Sequence, residues 1–156
     1  MLRPDTFALT ALLALLTALG PVAVDMYLPS FPEIGRLLGA SPATVQLTLS
    51  LYLVAYAIGQ MVYGPLSDRY GRIPVLRMAL AIYCVASLAC ALAPNIEMLL
   101  SARALQALGS SGAIVLARAI VRDLYSGARA GRELSLMGAI MAPAMLCGCV
   151  SPMPAA

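Results

Sequence analysis

The sequence predicts an all-α membrane protein with four complete transmembrane helices and a partial fifth. Three observations carry this. The chain is 62% hydrophobic and only 11% charged, whereas soluble domains carry about 25% charged residues. With so few charges it cannot cover a water-facing surface, so lipid is the expected solvent. Apolar runs recur at the length of about 20 residues that crosses a hydrocarbon core. Short connections rich in Pro, Gly and charge separate those runs.

The first span covers residues 7–27. No A-x-A-like cleavage site precedes a polar mature domain, and more apolar runs follow, so it reads as a membrane helix and not a signal peptide. Leu28-Pro29-Ser30-Phe31-Pro32 ends it, because proline breaks a helix interior. A short external loop then carries Glu33 and Arg36. The second span covers 42–63, with Ser41 as N-cap and Pro42 in the first turn. The third covers 74–93 and stops at Pro94-Asn95. The fourth covers 97–121, and 122–132 forms a cytoplasmic loop. The fifth run, 134–150, is barely long enough to span, contains Pro143, and meets Ser151-Pro152-Met153-Pro154. Tyr27, Tyr63, Tyr70 and Tyr125 fall near the predicted interfaces, where aromatic rings anchor.

All ten cations are arginine. Arg3, Arg69, Arg72, Arg77, Arg118, Arg122, Arg129 and Arg132 fall at one set of helix ends, and Arg36 at the other. An excess of basic residues marks the cytoplasmic side, which places the N-terminus inside. The arginines are divided among short loops and form no single basic face, which excludes nucleic-acid binding. There is no His, and carboxylates and thiols do not cluster, so no metal or cofactor is expected. No nucleophile–base pair is visible, which argues against an enzyme. Cys84, Cys90, Cys147 and Cys149 sit in apolar runs and read as small packing residues.

The connection Gly64-Pro65-Leu66-Ser67-Asp68-Arg69-Tyr70-Gly71-Arg72 is short and dense in charge. Gly64 is expected to end one helix, and Gly71 to permit a tight turn. Asp68 should lie close to the start of the third span, where the helix dipole favours an anion. Arg69 and Arg72 can pair with it or with carboxylates on another helix bundle.

Arg103 lies inside the fourth span, roughly 9 Å from its start at 1.5 Å per residue. A charge at the centre of a span costs about 2.5–3.5 kcal/mol on insertion scales, so such a residue is a functional candidate by default. The alternative is snorkelling to the outer interface. Gln106, three residues on, shares its face. Asp25, near the outer end of the first span, falls at a depth similar to Arg103. The two are expected to face each other or share a cavity, so that proton uptake on Asp25 requires their contact to loosen. The alternative for Asp25 is an interface residue in water. Tyr52, Tyr56 and Gln60 form one stripe at four-residue spacing, suited to lining a cavity or to packing helices. Gly109, Ala113 and Ala117 let helix backbones approach closely. Arg118, Arg122 and Asp123 read as cytoplasmic anchors.

The charged connection resembles the loop signature of the major facilitator superfamily, between its second and third helices. Asp25-Met26-Tyr27-Leu28-Pro29-Ser30-Phe31-Pro32 resembles the end of the first helix in the Bcr/CflA-type drug-resistance subfamily. Arg103-Ala104-Leu105-Gln106-Ala107-Leu108-Gly109, followed by Arg118-Ala119-Ile120-Val121-Arg122-Asp123, resembles that subfamily's fourth-helix signature. The likeness runs to about residue 143.

The resemblance implies proton-driven efflux of small molecules from the bacterial cytoplasm, with the proton gradient as driving force. It implies two helix bundles rocking about a midplane site. The implied partners are a small-molecule substrate, the lipid bilayer of the inner membrane and the C-terminal bundle of the same transporter. Gly64, Asp68, Arg69, Gly71 and Arg72 would help lock the outward-facing state. Two departures stand out. Ala107 replaces the family's usual Gly, and Cys147 stands where a second Pro is expected. The second departure leads us to expect a truncation or reading-frame change near residue 145, or an intentionally short chain. Two other readings stay open at this stage: a non-transporting membrane fragment, and a facilitator exporting an amino acid or metabolite.

Overall fold

The computed structural model describes residues 7–125 and, beyond them, residues 131, 132, 135, 136, 138 and 139. Its elements are α1 (Phe7–Asp25), a 3-10 turn (Leu28–Ser30), α2 (Phe31–Leu37), α3 (Pro42–Tyr70), α4 (Arg72–Ala91) and α5 (Ile96–Leu124). Among the described residues, four segments are long and apolar enough to cross a membrane: Ala11–Leu37, Pro42–Tyr70, Arg72–Ala91 and Ile96–Leu124. Among the described residues there is no strand. In lipid this follows from physics, because a helix satisfies its backbone polar groups within one segment.

α5 is the central helix. Within its most apolar window 61% of residues are buried, against 17% in α4 and 22% in α3. It packs most extensively against α4 and α3, and then α1, whereas α3 and α4 touch little. Its sequence explains this position. Ala107, Gly109, Ser110, Ser111, Gly112, Ala113 and Ala117 are all buried. A Cβ added at Gly109 would stand 2.6 Å from the backbone N of Tyr83 on α4. Small residues thus bring two backbones together, the packing that holds helices in a solvent as apolar as they are. Ser110 and Ser111 donate back to the carbonyls of Ala107 and Leu108, at 3.0 and 2.8 Å, so neither hydroxyl is left unsatisfied.

Among the described residues, three apolar clusters lie along α5. Toward its C-terminal end, Leu13 and Ala14 of α1 meet Ala117 and Val121. Tyr63 of α3 and Val75 and Ala79 of α4 surround Leu116. Toward its N-terminal end, Tyr52 and Ala55 of α3 enclose Ala107. The exposed faces of α3 and α4 stay apolar, with Leu47, Val54, Ile58, Val85 and Leu88 facing outward. That is the surface a bilayer requires.

Several helix ends differ from the sequence expectation. α1 stops at Asp25, and the prolines beyond it begin new structure. Pro29 lies in the 3-10 turn and Pro32 in the first turn of α2, where a missing N–H leaves no bond unmade. Glu33 and Arg36 therefore ride on α2 and not in a loop. α3 does not end at Gly64. It runs through Gly64 and Pro65 to Tyr70, losing at Pro65 only one backbone donor. The break comes at Gly71, with φ of +91°, a conformation that suits a residue without a side chain. Ser41 caps α3 as expected, accepting from the Thr44 N–H at 3.2 Å. Arg122 and Asp123, expected in a loop, are the last turn of α5, and Gly131 and Arg132 are also helical. The fifth predicted span lies outside the described residues, apart from four helical positions, 135, 136, 138 and 139.

Candidate functional site: a buried arginine at one end of the bundle and an ion-pair cluster at the other

Arg103 is 6% exposed, two turns into α5. It does not snorkel. Its Nη1 donates to Gln106 Oε1 at 2.9 Å and to the Ala23 carbonyl of α1 at 3.3 Å. Its guanidinium carbon lies 3.5 Å above the ring centroid of Tyr27 and 5.7 Å from that of Tyr52. A cation over an aromatic face is attracted by the ring quadrupole, and by more when water is excluded.

Each of these partners is itself held. Gln106 Nε2 donates to Ser87 Oγ of α4 at 2.9 Å. The Tyr27 hydroxyl lies 2.6 Å from Thr48 Oγ1 of α3. Thr48 donates its own proton to the Val45 carbonyl, so the Tyr27 hydroxyl is the donor toward Thr48. Tyr52 reaches Ser110 Oγ at 3.0 Å and the Gly20 carbonyl at 3.4 Å. One cation thus ties α1, α3, α4 and α5 together near the start of α5.

Arg103 and Gln106 open onto a cavity of about 630 Å³ between α1, α2, α4 and α5. Its wall is mainly apolar, with Val22, Met26, Ile34 and Leu99, and carries Tyr27, Tyr83, Ser87 and Cys90 as polar points. Most small-molecule sites share this form, an apolar concavity with few oriented polar groups.

Asp25 is not where the sequence reading put it. It is half-buried and enters no hydrogen bond or ion pair among the described residues. It does not line the cavity with Arg103. The side of the chain that meets Arg103 carries Ala23 and Tyr27, and Asp25 lies between them in sequence on another side. The tyrosine stripe also divides. Tyr52 is buried in the α3–α5 seam and stacks on Tyr56 at 6.0 Å, so it packs helices. Gln60 lines a different cavity, at the opposite end of the bundle.

That second cavity, about 330 Å³, is bounded by Gln60, Gly64, Asp68, Arg72, Arg118 and Asp123 among others. Arg72 is its organiser. Its Nη1 meets Asp68 Oδ1 at 2.7 Å, and its Nε donates to Asp123 Oδ2 at 3.0 Å. It also donates to Ser67 Oγ. Asp68 sits in the last turn of α3, not at the start of the next helix, because α3 continues past Gly64. Arg72 begins α4 instead, where the dipole disfavours a cation, and two carboxylates offset it. These side chains are 29–67% exposed, so each pair contributes about 0–1 kcal/mol. Arg69 lies over the ring of Tyr70 at 5.5 Å and makes no pair with Asp68. Asp123, read as an anchor, is a partner of Arg72, which sequence spacing did not reveal. Tyr27, Thr48 and Ser87 are further residues the sequence reading missed. Tyr27 had a signal, its place two residues after Asp25 in the quoted motif.

Residues 13–151 match the family model described as Major Facilitator Superfamily. The match runs past residue 145, so Cys147 does not end the likeness. Among curated relatives, the chain is 46% identical over 149 residues to an uncharacterized MFS-type transporter, YdgK, of Bacillus subtilis, covering 96% of this chain and 36% of that protein. It is 41% identical over 141 residues to a chloramphenicol resistance protein of Pseudomonas aeruginosa, covering 90% of this chain and 34% of that one. It is 34% identical over 145 residues to multidrug resistance protein D of Escherichia coli, covering 92% and 37%. The chain therefore spans about a third of the length of the curated relatives it matches.

Proposed function

Because the chain belongs to the major facilitator superfamily, we propose that it supplies the N-terminal helices of a proton-coupled exporter of small molecules, drugs among them. The observation that carries this is the buried arginine of α5, held at the mouth of an apolar cavity in a chain whose relatives include resistance proteins. An uncompensated intramembrane charge is retained where a substrate or ion passes.

In this reading the bilayer is the bacterial inner membrane and the N-terminus is cytoplasmic, as the distribution of arginine favours. Asp25 takes up and releases the proton. Its lack of a partner among the described residues suits a group that must change charge. Arg103 and Gln106 orient the substrate in the outer half of the cavity. Since Arg103 and Asp25 make no pair, the link between them runs through α1, whose Ala23 carbonyl Arg103 grips. A proton bound at Asp25 shifts the end of α1, and that shift reaches Arg103. Gly64, Asp68, Arg69, Gly71 and Arg72 close the inner face when the remaining bundle docks against it.

The test uses everted membrane vesicles of cells making the complete transporter, with a lumenal pH dye and a panel of neutral and anionic drugs as substrates. We expect at least one of them to drive proton release and Asp25→Asn to abolish it. Unchanged release in that variant refutes the role of Asp25. A second reading has its own support, the chain's coverage of a third of its relatives. In it the 156-residue polypeptide alone is a membrane protein without transport. Vesicles holding only this chain decide between the two for the isolated polypeptide.

A further inference from the structure

Arg103 makes all its protein hydrogen bonds through one nitrogen. Nη1 serves both Gln106 and the Ala23 carbonyl. Nη2 and Nε donate to no described residue. Yet no buried side-chain nitrogen or oxygen is without a partner among the described residues, so those two nitrogens reach the cavity surface. A guanidinium presents its donors as a planar fork that matches an oxyanion with two parallel bonds. No carboxylate among the described residues lies within ion-pairing distance of it. Around it the cavity wall is apolar, with Val22, Met26, Ile34 and Leu38.

We infer that the outer cavity is a binding site for an amphiphilic anion, a carboxylate or phosphate head on an apolar body. The head pairs with the two open donors of Arg103, and the body lies along the apolar wall. Tyr27 and Gln106 fix the fork in place for it. A cation in an apolar cavity without a counter-ion favours an anionic occupant over a cationic or neutral one of the same shape. This deepens the exporter reading by assigning the substrate class of its outer cavity. It is testable by binding alone, without a proton gradient, so its failure and the failure of the transport reading are distinguishable.

Cys90 lies in the cavity wall, its sulfur 3.9 Å from Gln106 Oε1, and reports occupancy. The full chain with Cys84, Cys147 and Cys149 replaced by alanine is placed in phosphatidylcholine nanodiscs. Maleimide labelling of Cys90 is then timed with dodecanoate, dodecanol or dodecylammonium present. We expect dodecanoate to slow labelling about tenfold relative to the other two, equivalent to about 1.4 kcal/mol. Arg103→Gln should remove that difference. Gln106→Glu, which keeps the arginine but gives it a built-in carboxylate, should remove it too, and it tests the idea if Arg103→Gln fails to fold. Repeating the experiment in phosphatidylglycerol nanodiscs separates the sources. If that lipid alone protects Cys90 and dodecanoate adds nothing, the anion is a headgroup phosphate and the site stands. Equal protection by all three head groups overturns the inference. So does selective protection that survives both variants, or none in either bilayer.

Discussion

Arg103 and Tyr27 show how an apolar medium handles a full charge. Among the described residues no carboxylate pairs with the guanidinium, which instead rests on an aromatic face. The tyrosine is held in turn by Thr48. Two substitutions separate these contributions. Tyr27→Phe keeps the ring and loses the hydroxyl bond, which should cost about 1 kcal/mol. Tyr27→Leu removes the ring from under a desolvated cation, and should cost about 2 kcal/mol more. Unfolding in mixed detergent micelles, followed by circular dichroism, measures both. A leucine variant as stable as the phenylalanine variant would show that the stack contributes nothing.

At this scale the sequence is partly legible. A lone arginine amid apolar residues is conspicuous, and Gln106 follows from helical spacing. The Asp25–Arg103 contact did not form because depth alone does not fix direction around a helix. Arg103 meets the Ala23 carbonyl and, past the end of α1, the Tyr27 ring, and Asp25 between them joins neither contact. Tyr27 itself carries no linear sign of a partner 76 residues away, the difference between positions 103 and 27.

Among the helices, glycines distinguish packing from punctuation. At Gly109 an added Cβ would stand 2.6 and 2.7 Å from backbone atoms of Tyr83, which cannot swing aside. At Gly64 it would meet nothing within 4 Å. Gly109→Ala should therefore destabilise the bundle by about 1–3 kcal/mol, the usual cost of overpacking. Gly64→Ala should leave stability unchanged within about 0.5 kcal/mol. The same micelle unfolding assay compares them. If Gly64→Ala abolishes transport in the complete protein while leaving stability intact, the partner of Gly64 lies beyond the described residues. Helix existence was legible in all four cases, because an apolar run of this length has one structure open to it in lipid. Helix ends were less so. Gly64 and Pro65 look like a stop, but membrane helices tolerate both where neighbouring groups re-satisfy the freed backbone, and α3 continues through them to Tyr70.

For the whole molecule, the arrangement around α5 places the two polar sites at opposite ends, Arg103 with Tyr27 at one and Arg72 with Asp68 and Asp123 at the other. The orientation proposed above predicts the side of each. Alkaline phosphatase fused after residue 38 should be active in the periplasm, and the same enzyme fused after residue 71 inactive. The reverse pattern would invert the topology and with it the direction of the proposed export. The overall class was readable from composition alone. The central position of α5 was foreshadowed by its small residues, but which neighbours it takes depends on packing that no single run encodes.

The helix with the misfit charge is also the last of the four long spans to leave the ribosome. By then α1, with Tyr27 and the Ala23 carbonyl, is already in the bilayer, as are Thr48 on α3 and Ser87 on α4. If the spans insert in that order, the arginine enters with its partners already made. Moved to the front of the gene, the same helix would have to cross alone.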